Sequence, residues 1–416
     1  MGSPDIAPRA GLLSGDGAAE LTALGRSLAR AGRLDEALAT FLAAVERDER
    51  ALDAHLGIYE VAQILRRPEL ALAHQAAAIA LAPVQSTPAS EREDYALLVP
   101  CAPGPYTANT PVDLLFDARF VTLHRWYVDP AADPPPLPRH DAVFVAIGES
   151  DDAASRLAAL ERLIAPSRGE PVRLGEPALH GPVLNRPELI ARLGRVPFAE
   201  TFANARHCRA VTTTRVARER YAAEGFPLPH IVRPVGSHGG HGLARITDDA
   251  GRAAYLAETD AARLYVAPYV DYRSDDGFFR KYRIVFVGGE PYPFHLAISP
   301  SWMVHYYNAP MDEHAWMRAE EEAFLARIGD VFHGELAEAL RETAALLPLD
   351  YVGIDCAIDR DGKLLIFEAD NALIIHTLDD PALYGYKHRY VPRILTALDA
   401  MVRARVAAER DERSGA

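Results

Sequence analysis

The sequence predicts an α/β protein that is preceded by an all-helical module. Apolar residues recur at steps of three and four from Glu20 to Pro83, which is the spacing of one helix face. Further along, short apolar runs alternate with a helical pattern, and from Arg195 onwards pairs of apolar runs surround glycine turns. Because 416 residues exceed what one hydrophobic core usually supports, we expect roughly two to four domains.

The N-terminal segment shows a repeat of 34 residues. Ala37-Leu38 and Ala71-Leu72 stand 34 residues apart, Gly32 separates the first two helical stretches, and Pro83 ends the pattern. This period is similar to that of the tetratricopeptide repeat (TPR), which is a pair of helices. The alternative is a plain alanine-rich bundle. Fewer than three repeats cannot bury a continuous core, so we expect the module to pack on the rest of the chain, bind a partner protein or form a dimer.

A linker and an α/β segment follow the helical module. Residues 83–94 are polar and contain Pro and Ser, which is typical of a linker. Tyr95–Val99, Phe120–Val128 and Ala142–Ile147 are apolar runs that predict buried strands, and Asp152–Ile164 has the pattern of a helix. Strands that alternate with helices favour a parallel sheet.

Composition excludes some classes of function. The net charge of −14 argues against a sequence-independent nucleic-acid binder, which needs a basic surface to displace counterions. The three cysteines are widely spaced without a CxxC, so neither a disulfide framework nor a zinc site is expected. No segment approaches about eighteen apolar residues, and we expect a soluble cytoplasmic protein. Only three of the 44 basic residues, counted as Lys and Arg, are lysines, so each of the three is a candidate for a specific role. They are Lys281, Lys363 and Lys387.

The first motif with chemical meaning is a glycine-rich loop. The run Ile231–Val235 leads into Gly236-Ser237-His238-Gly239-Gly240-His241-Gly242, which has four glycines in seven residues. Glycines let the backbone approach phosphates closely and aim several N–H groups at them. The spacing is not that of a P-loop. Arg233 adds a cation at the mouth of this candidate phosphate site, whereas the alternative is a flexible turn.

Two strand-like segments follow the loop. Leu264–Asp271 is apolar with a proline kink and suits a slot for adenine, although an ordinary strand has the same pattern. Gly277–Leu296 predicts a hairpin that turns at Gly288-Gly289. In an extended strand Lys281 and Arg283 share one face, where phosphate or a carboxylate would join them. The alternative is a solvated sheet edge that is protected by charge.

The most specific motif occupies residues 350–371. Val352–Ile358 and Leu364–Ala369 predict strands around an Asp-Gly turn. Antiparallel pairing brings Asp355 roughly opposite Glu368, among apolar neighbours where unpaired carboxylates would repel and lose hydration. Mg²⁺ removes both costs, because it binds one or two carboxylates together with phosphate oxygens and water. The alternative is a pair of edge carboxylates in water.

In this order the motifs resemble the ATP-grasp superfamily. A glycine-rich loop after Arg-Pro, a cation-bearing strand pair and Asp…Glu-x-Asp-Asn on a hairpin occur at its rough spacing. Segments 280–299 and 302–306 look like bacterial proteins that fuse TPR repeats to an ATP-grasp domain. The resemblance covers nearly the whole chain and implies an ATP-grasp fold in three parts. These are a TPR-like helical module at 1–88, a pre-ATP-grasp α/β domain at 89–205 and an ATP-grasp domain at 206–408.

The resemblance implies ATP-dependent ligation of a carboxylate to an amine or a similar nucleophile. Members of the superfamily, such as D-alanine–D-alanine ligase, glutathione synthetase and the ribosomal-protein glutamate ligase, form an acyl phosphate and release ADP. ATP and Mg²⁺ are the implied cofactors, and the substrates are small-molecule or peptide carboxylates and amines, with no nucleic acid and no membrane as partner. A kinase that phosphorylates a hydroxyl has the same motifs, as has a TPR scaffold with a decayed nucleotide site, and both stay open.

Carried over by position, the family's site residues form three groups. The nucleotide group comprises Arg233 at phosphate, the covering residues Ser237, His238, Gly239, Gly240 and Gly242, and, around adenine, Pro268, Tyr269 and Val270. The metal group comprises Asp355 and Glu368, with Asp370 or Asn371 as third ligand. The catalytic group comprises Lys281, Arg283, His295 and His305, with Ser299 and Trp302 beside them. The family usually has Lys where Arg233 stands and Asn where Asp370 stands, which leaves the third metal ligand open.

Overall fold

The computed structural model describes residues 17–164, 179, 181–237, 239–305 and 308–415. The chain divides into two compact units. Unit 1 comprises the chain up to Gln85 with the short segments Pro103–Tyr106 and Arg125–Tyr127, and unit 2 comprises the remainder. The predicted boundary at residue 205 lies within unit 2 and stays a prediction.

Unit 1 is built from two helical pairs. The helices are α1 (Ala18–Arg30), α2 (Leu34–Arg47), α3 (Leu52–Ile64) and α4 (Pro68–Leu81). Helix α3 begins and ends 34 residues after α1, and α4 does so after α2, so the predicted period holds for the helix bounds. The ring of Phe41 lies against Gly25 and Gly57, where an added Cβ would come within 2.7 and 2.5 Å of it. These glycines therefore allow α1 and α3 to approach α2 closely.

The remaining elements follow in chain order. The strands are β1 (Val84–Thr87), β2 (Tyr95–Cys101), β3 (Val121–Tyr127), β4 (Ala142–Phe144), β5 (Val183–Leu184), β6 (Cys208–Ala210), β7 (Thr214–Ala217), β8 (His230–Pro234), β9 (Ala244–Ile246), β10 (Arg263–Pro268), β11 (Phe279–Val287), β12 (Glu290–Ser299), β13 (Tyr351–Ile358) and β14 (Leu364–Asp370). The helices are α5 (Val112–Leu115), α6 (Ala154–Ile164), α7 (Pro187–Ile190), α8 (Arg195–Thr201), α9 (Arg218–Ala223), α10 (Asp249–Glu258), α11 (Ala315–Ala326), α12 (Glu335–Leu346), α13 (Pro381–Tyr384), α14 (Lys387–Tyr390) and α15 (Pro392–Gly415).

The first sheet has the order β1-β3-β2-β4-β5. Strand β4 pairs in parallel with β2 and with β5, as the alternation of strands and helices predicted. All seven residues of β2 are buried, which explains why this strand is a continuous apolar run. The predicted helix near Asp152 is present and begins at Ala154. Unit 2 therefore starts with the mixed α/β architecture that the sequence indicates.

The second sheet, called the small sheet, has the antiparallel order β7-β10-β8-β9. Its buried face packs Val216, Val232 and Leu264 against Tyr221 of α9 and Tyr255 of α10. The glycine-rich loop connects β8 to β9, so the predicted sequence of strand and loop is present. This arrangement fixes both ends of the loop on one small sheet.

The third sheet, called the large sheet, has the order β12-β11-β13-β14-β6. Both predicted hairpins are present: β11 turns into β12 at Gly288-Gly289, with φ of 58° and 87°, and β13 turns into β14 near Gly362, with φ of 76°. Positive φ at both central residues is the turn geometry that suits the twist of a hairpin. The ring of Tyr282 lies 5.1 Å from that of Phe324 on α11, which leaves the face of Lys281 and Arg283 for other contacts.

Candidate active site

Four side chains stand in line across the large sheet. His295 on β12 is the Cα partner of Arg283 on β11, Arg283 that of Asp355 on β13, and Asp355 that of Glu368 on β14. Direct partners on antiparallel strands project to the same face about 5 Å apart. We call these four residues the transverse row. The predicted pairing of Asp355 with Glu368 is confirmed, and ladder irregularities directly after Arg283 and Asp355 border the row.

Asp355 is the centre of the charges in the row. Its carboxylate accepts hydrogen bonds from Lys281 Nζ at 2.9 Å and from Arg283 Nε at 2.6 Å and Nη2 at 3.0 Å. The side chain is 4% exposed. Burial would disfavour the charge, but the two cations hold the pKa of Asp355 well below its usual range. Lys281 and Arg283 therefore share one face, as predicted, but the anion that joins them here is Asp355 of the protein itself. The binding of phosphate or a substrate carboxylate by these two cations stays a prediction.

Two more carboxylates continue the acidic side of the site. Glu368 pairs with Arg195 at the start of α8, and this guanidinium lowers the pKa of Glu368. Asp370 lies two residues further along β14 and so on the same face. It borders solvent, but limited hydration and the repulsion of Glu368 raise the pKa of Asp370 to about 6. A positive charge in addition to Arg195 would stabilise the two carboxylates Glu368 and Asp370.

Asn371, the other candidate for the third metal ligand, lies elsewhere. It is fully buried, and its Nδ2 donates to the backbone oxygen of Ile147 at 2.9 Å. Its backbone oxygen accepts a hydrogen bond from Thr110 Oγ1 at 2.8 Å. The geometry thus favours Asp370 over Asn371, because only Asp370 continues the face of Asp355 and Glu368.

The donor set fits Mg²⁺ that is held together with phosphate. Within the described ranges, no group of three or more His, Cys, Asp or Glu side chains is arranged as a metal cage. Mg²⁺ needs only one or two carboxylates when phosphate oxygens and waters complete its octahedron. The carboxylates of this face would supply them, and the cations of Arg195, Lys281 and Arg283 stand beside them. An ion and a phosphate group would satisfy both sets of charges at once.

A second line of polar residues crosses the small sheet. Tyr265 on β10 is the Cα partner of Arg215 on β7 and of Arg233 on β8. Burial and the neighbouring Arg195 lower the pKa of Arg233 to about 10, so Arg233 lies close to the acidic side of the large sheet's site. Its Nε donates to Ser237 Oγ at 3.0 Å, and its Nη2 donates to the backbone oxygen of Ser237. The predicted phosphate cation is thus bonded to the loop that follows it.

The glycine-rich loop itself uses backbone conformations that favour glycine. Gly236, Gly239, Gly240 and Gly242 all have φ between 60° and 78°. An added Cβ would lie 3.8 Å from His305 Nε2 at Gly239 and 3.9 Å from Met303 Sδ at Gly240, so the loop borders the segment after β12. The predicted covering residue His238 lies outside the described residues.

The candidate adenine segment follows β10. Pro268 ends the strand, and the ring of Tyr269 lies 6.0 Å from that of Trp302, edge to face. The guanidinium of Arg245 on β9 stands 4.9 Å over Tyr269 and 5.7 Å from Trp302. Val270 joins the apolar cluster that includes Tyr272 and Trp302. The structure therefore brings the predicted adenine residues together with Trp302, which the sequence placed in the acid or acceptor region.

The remaining predicted catalytic residues divide between two places. His305 lies on the phosphate side, where Lys281 and Arg283 add to burial in lowering its pKa. His295 ends the transverse row, and its Nδ1 lies 2.5 Å from Glu321 Oε1 of α11. Ser299 is buried, and its Oγ accepts a hydrogen bond from the backbone N–H of Ser301 at 3.0 Å, which is a local turn contact.

The sequence did not predict three residues of this region. Arg195 meets Glu368 from 173 positions away, and Glu321 meets His295 from the next helix. Glu149, after β4, has a pKa that burial and Asp151 raise to about 7, while Arg195 lowers it. A fourth residue, Lys387, lies 3.6 Å from Glu321, and the sequence did draw attention to it because lysine is rare in this chain.

Two hollows of the surface lie apart from these residues. One, of about 270 Å³, is lined by residues such as Tyr292, Leu325 and Tyr390. The other, of about 500 Å³, is lined by residues such as Arg192, Glu200 and Leu346. Neither includes a member of the transverse row or of the glycine-rich loop. The candidate site is therefore described by its charges and its register.

Comparison with known proteins adds two likenesses of fold. No protein-family model matches the chain. The chain is similar to the D-alanine-D-alanine ligase from Coxiella burnetii, at 12% identity and a TM-score of 0.41, over 77% of this chain and 97% of that one. It is also similar to the RimK domain protein ATP-grasp from Sphaerobacter thermophilus DSM 20745, at 15% identity and a TM-score of 0.39, over 72% and 99%. At these values the function has to be argued from the residues of the site.

No helix in the described part of the chain is long and apolar enough to cross a lipid bilayer.

Proposed function

We propose that this protein is an ATP- and Mg²⁺-dependent ligase of the ATP-grasp type. It would activate a carboxylate as an acyl phosphate, transfer the acyl group to an amine or a similar nucleophile, and release ADP and phosphate. The observation that carries the proposal is the transverse row, in which a cation and two carboxylates are fixed side by side on neighbouring strands. Arg233 and the glycine-rich loop supply a phosphate-binding cover in the same unit.

Asp355 and Glu368 would hold Mg²⁺, with Asp370 as the third ligand. Held by these residues, Mg²⁺ would supply positive charge beside the phosphate of the nucleotide. When Asp355 and Glu368 hold the ion, Lys281 and Arg283 can bind phosphate or the substrate carboxylate in place of Asp355. Arg195 can likewise bind phosphate in place of Glu368. This exchange of partners keeps every buried charge paired, which is why the same residues suit both arrangements.

Lys281 and Arg283 would bind the substrate carboxylate and the phosphoryl group that it attacks. Donors that are already fixed where negative charge develops lower the barrier most, because they need no rearrangement during the reaction. The central position of β11 in the sheet fixes the backbone of Lys281 and Arg283, so only their side chains change partner when the ligand binds, before the reaction. An acyl phosphate hydrolyses easily, so the site must exclude water, and the loop around Gly239-Gly240 is placed to do so beside His305.

The second step, the transfer of the acyl group to the nucleophile, releases one proton. The nucleophile's nitrogen forms a bond to the acyl carbon, the bond from that carbon to the phosphate oxygen breaks, and phosphate leaves with the electron pair. The proton from nitrogen passes to a base, for which His295 and His305 are the two candidates. Both histidines have pKa values lowered by burial, so both are neutral and able to accept a proton near pH 7.

The helical module of unit 1 would bind a partner protein or a second copy of the chain. Four large apolar side chains of the module are at least a third exposed: Leu24, Ile64, Leu72 and Leu81. Light scattering of the full chain measures its mass against the 45.4 kDa of one copy. Leu24→Glu with Ile64→Glu should return a dimer to this mass, and a chain that is monomeric before and after leaves the partner protein as the remaining proposal.

The function is tested by a screen of acids and amines. The full chain with MgATP is mixed with pools of carboxylic acids and amines, ADP is measured, and the masses of new products are determined. We expect ADP together with an amide, and Glu368→Gln should abolish both. AMP as product would exclude the proposed mechanism, whereas ADP with a stable phosphate ester would identify a kinase.

A further inference from the structure

A buried polar cluster stands at the outer end of the transverse row. Glu321 on α11 is fully buried. Its Oε1 accepts hydrogen bonds from His295 Nδ1 at 2.5 Å and from the backbone N–H of Leu296 at 3.2 Å. The hydroxyl of Tyr386 donates to Oε2. Lys387 Nζ lies 3.6 Å from Oε1 and donates to Asp379 at 3.0 Å. We call His295, Glu321, Asp379, Tyr386 and Lys387 the His295 cluster.

The cluster contains more charge than the stability of the fold requires. Lys387 is 2% exposed and Glu321 is 0% exposed. Replacing such a buried ion pair by apolar residues of similar volume is often neutral or stabilising, so burial of the pair is not explained by stability. Its position is a better guide, because His295 belongs both to the cluster and to the row and so connects the two.

The contacts fix the protonation of His295. Burial would raise the pKa of Glu321, but the hydrogen bonds from His295 and Tyr386 and the nearby charge of Lys387 hold this pKa low, so the carboxylate is ionised at neutral pH. Burial lowers the pKa of His295, which leaves its ring neutral. A carboxylate only accepts hydrogen bonds, so Nδ1 must carry the proton and donate it to Glu321. The lone pair of the ring is then on Nε2.

The row places the ring of His295 beside Arg283, the cation that would hold the reacting carboxyl group. His295 is the direct partner of Arg283, while Asp355 and Glu368 lie on the other side of Arg283. With strands about 5 Å apart, His295 stands roughly 10 Å from Asp355 across the sheet. Phosphate and metal thus belong to one end of the row and His295 to the other. His305 belongs to the phosphate end, because it borders Gly239 and the cation of Lys281.

We propose that His295 is the base that deprotonates the attacking nucleophile and that Glu321 is the positioning residue that fixes its tautomer. This inference rests on the proposed ligase function and selects between its two candidate bases. Lys387 and Tyr386 keep Glu321 ionised and oriented. The substrate class that follows is a nucleophile that reaches the site with a proton to lose, such as an amine, and that approaches from the side of β12.

The tautomer is tested without any substrate. The full chain is labelled with ¹⁵N-histidine, its fifteen histidines are recorded by NMR at pH 7.5, and His295 is assigned by its loss in His295→Gln. We expect a neutral ring with the proton on Nδ1. A proton on Nε2, or a doubly protonated ring, would overturn the proposal. This measurement uses the unaltered protein, so it decides even if a variant of Glu321 fails to fold.

The role in catalysis is tested by a ratio of two products. Hydroxylamine is unprotonated at neutral pH and attacks an acyl phosphate without help, whereas an amine needs a base. In Glu321→Gln the ratio of amide to hydroxamate should fall by about 100-fold or more, because the ring loses its fixed tautomer. Glu321→Asp should restore part of the ratio. Glu322→Gln is the matched control, since Glu322 is the next residue of α11 and pairs with Arg389 at the surface.

The outcomes separate this inference from the function on which it rests. A ratio that is unchanged in Glu321→Gln would refute the role of the cluster even when the ligase is active. If the unaltered protein forms no hydroxamate with any acid, the ligase function fails, and with it this inference. A correct tautomer would then show only that Glu321 orients His295.

Discussion

The transverse row of the large sheet and the glycine-rich loop of the small sheet both carry predicted site residues, yet the protein holds them very differently. In the row, the Asp355 side chain is 4% exposed and accepts three hydrogen bonds from two cations. In the loop, Gly236, Gly239 and Gly242 are exposed, and an added Cβ at Gly236 would meet nothing within 4 Å.

This difference indicates a division of labour. The row is fixed by the sheet, so its charges are in place before a ligand arrives, which is what electrostatic catalysis requires. The loop has exposed glycines and a backbone that only glycine adopts without strain, so it is suited to close over phosphates. Substitutions at the buried positions of the row should therefore affect chemistry and stability together, whereas substitutions in the loop should affect mainly ligand binding.

The largest effect is expected from the carboxylates of the row. Asp355→Asn and Glu368→Gln should each lower kcat for ADP formation by at least about 100-fold, because the charge that binds Mg²⁺ is lost. Asp355→Asn should also cost about 3–5 kcal/mol of unfolding free energy in urea titrations, since Lys281 and Arg283 lose a buried counter-charge. Glu368 is 39% exposed and should cost little stability. Near-normal turnover of either variant at ordinary Mg²⁺ would refute the site.

The cations of the row come next. Arg283→Ala should lower the rate of hydroxamate formation by about 100-fold, and Lys281→Ala by about 10-fold, because both steady the anionic intermediate and Arg283 makes the larger number of bonds to Asp355. Arg280→Ala is the control, because Arg280 on the same strand binds Asp276 and Glu320 instead. Equal rates for Arg283→Ala and Arg280→Ala per folded protein would contradict the assignment.

A smaller effect is expected in the loop. Gly240→Ala places a side chain at a φ of 78°, which costs about 1–2 kcal/mol in the loop conformation of this structure. If ATP needs this conformation, the KM for ATP should rise by about 5- to 30-fold. The melting temperature should stay that of the unaltered protein, because the loop can leave this conformation without unfolding the sheet. Gly225→Ala is the control, since Gly225 is exposed and an added Cβ there meets nothing within 4 Å. A lower melting temperature for Gly240→Ala would show that the loop contributes to the fold.

The smallest effect concerns the link between Arg233 and the loop. Ser237→Ala removes the hydrogen bond from Arg233 Nε to Ser237 Oγ, which is 3.0 Å long, but retains the bond to the backbone oxygen of Ser237. One hydrogen bond contributes about 1 kcal/mol, so the KM for ATP should rise by about fivefold. Calorimetry of ATP binding measures the same change directly. A loss of kcat as large as that of Asp355→Asn would show that Ser237 takes part in catalysis and does not only help to bind ATP.

The features that the sequence could predict are those with a local pattern. Alternation places Lys281 and Arg283 on one face, and the glycines at 288, 289 and 362 mark the two hairpin turns. The length of the turn alone would pair Asp355 with Phe367, so the sequence brings Asp355 and Glu368 only roughly opposite each other, and the irregularity after Asp355 makes them direct partners. The choice of Asp370 over Asn371 was also within reach, because residues 368 and 370 share a face if β14 continues to Asp370.

The features that the sequence could not predict depend on contacts between distant segments. Arg195 reaches Glu368 only because α8 packs beside β14, and no local pattern marks that approach. Glu321 lies in an amphipathic helix, where a glutamate normally faces water, so its full burial beside His295 has no signature. The irregularities that border the row shift the ladder by one residue and arise from the packing of the whole sheet.

The central claim is that the carboxylate is activated by phosphorylation, and labelled oxygen tests it most directly. The acid found in the screen is prepared with ¹⁸O in its carboxyl group and turned over with MgATP and the amine. The account predicts ADP and inorganic phosphate that carries one ¹⁸O atom from the acid, because the bond from the acyl carbon to that oxygen is the one that breaks. Unlabelled phosphate, or label in AMP, would contradict it.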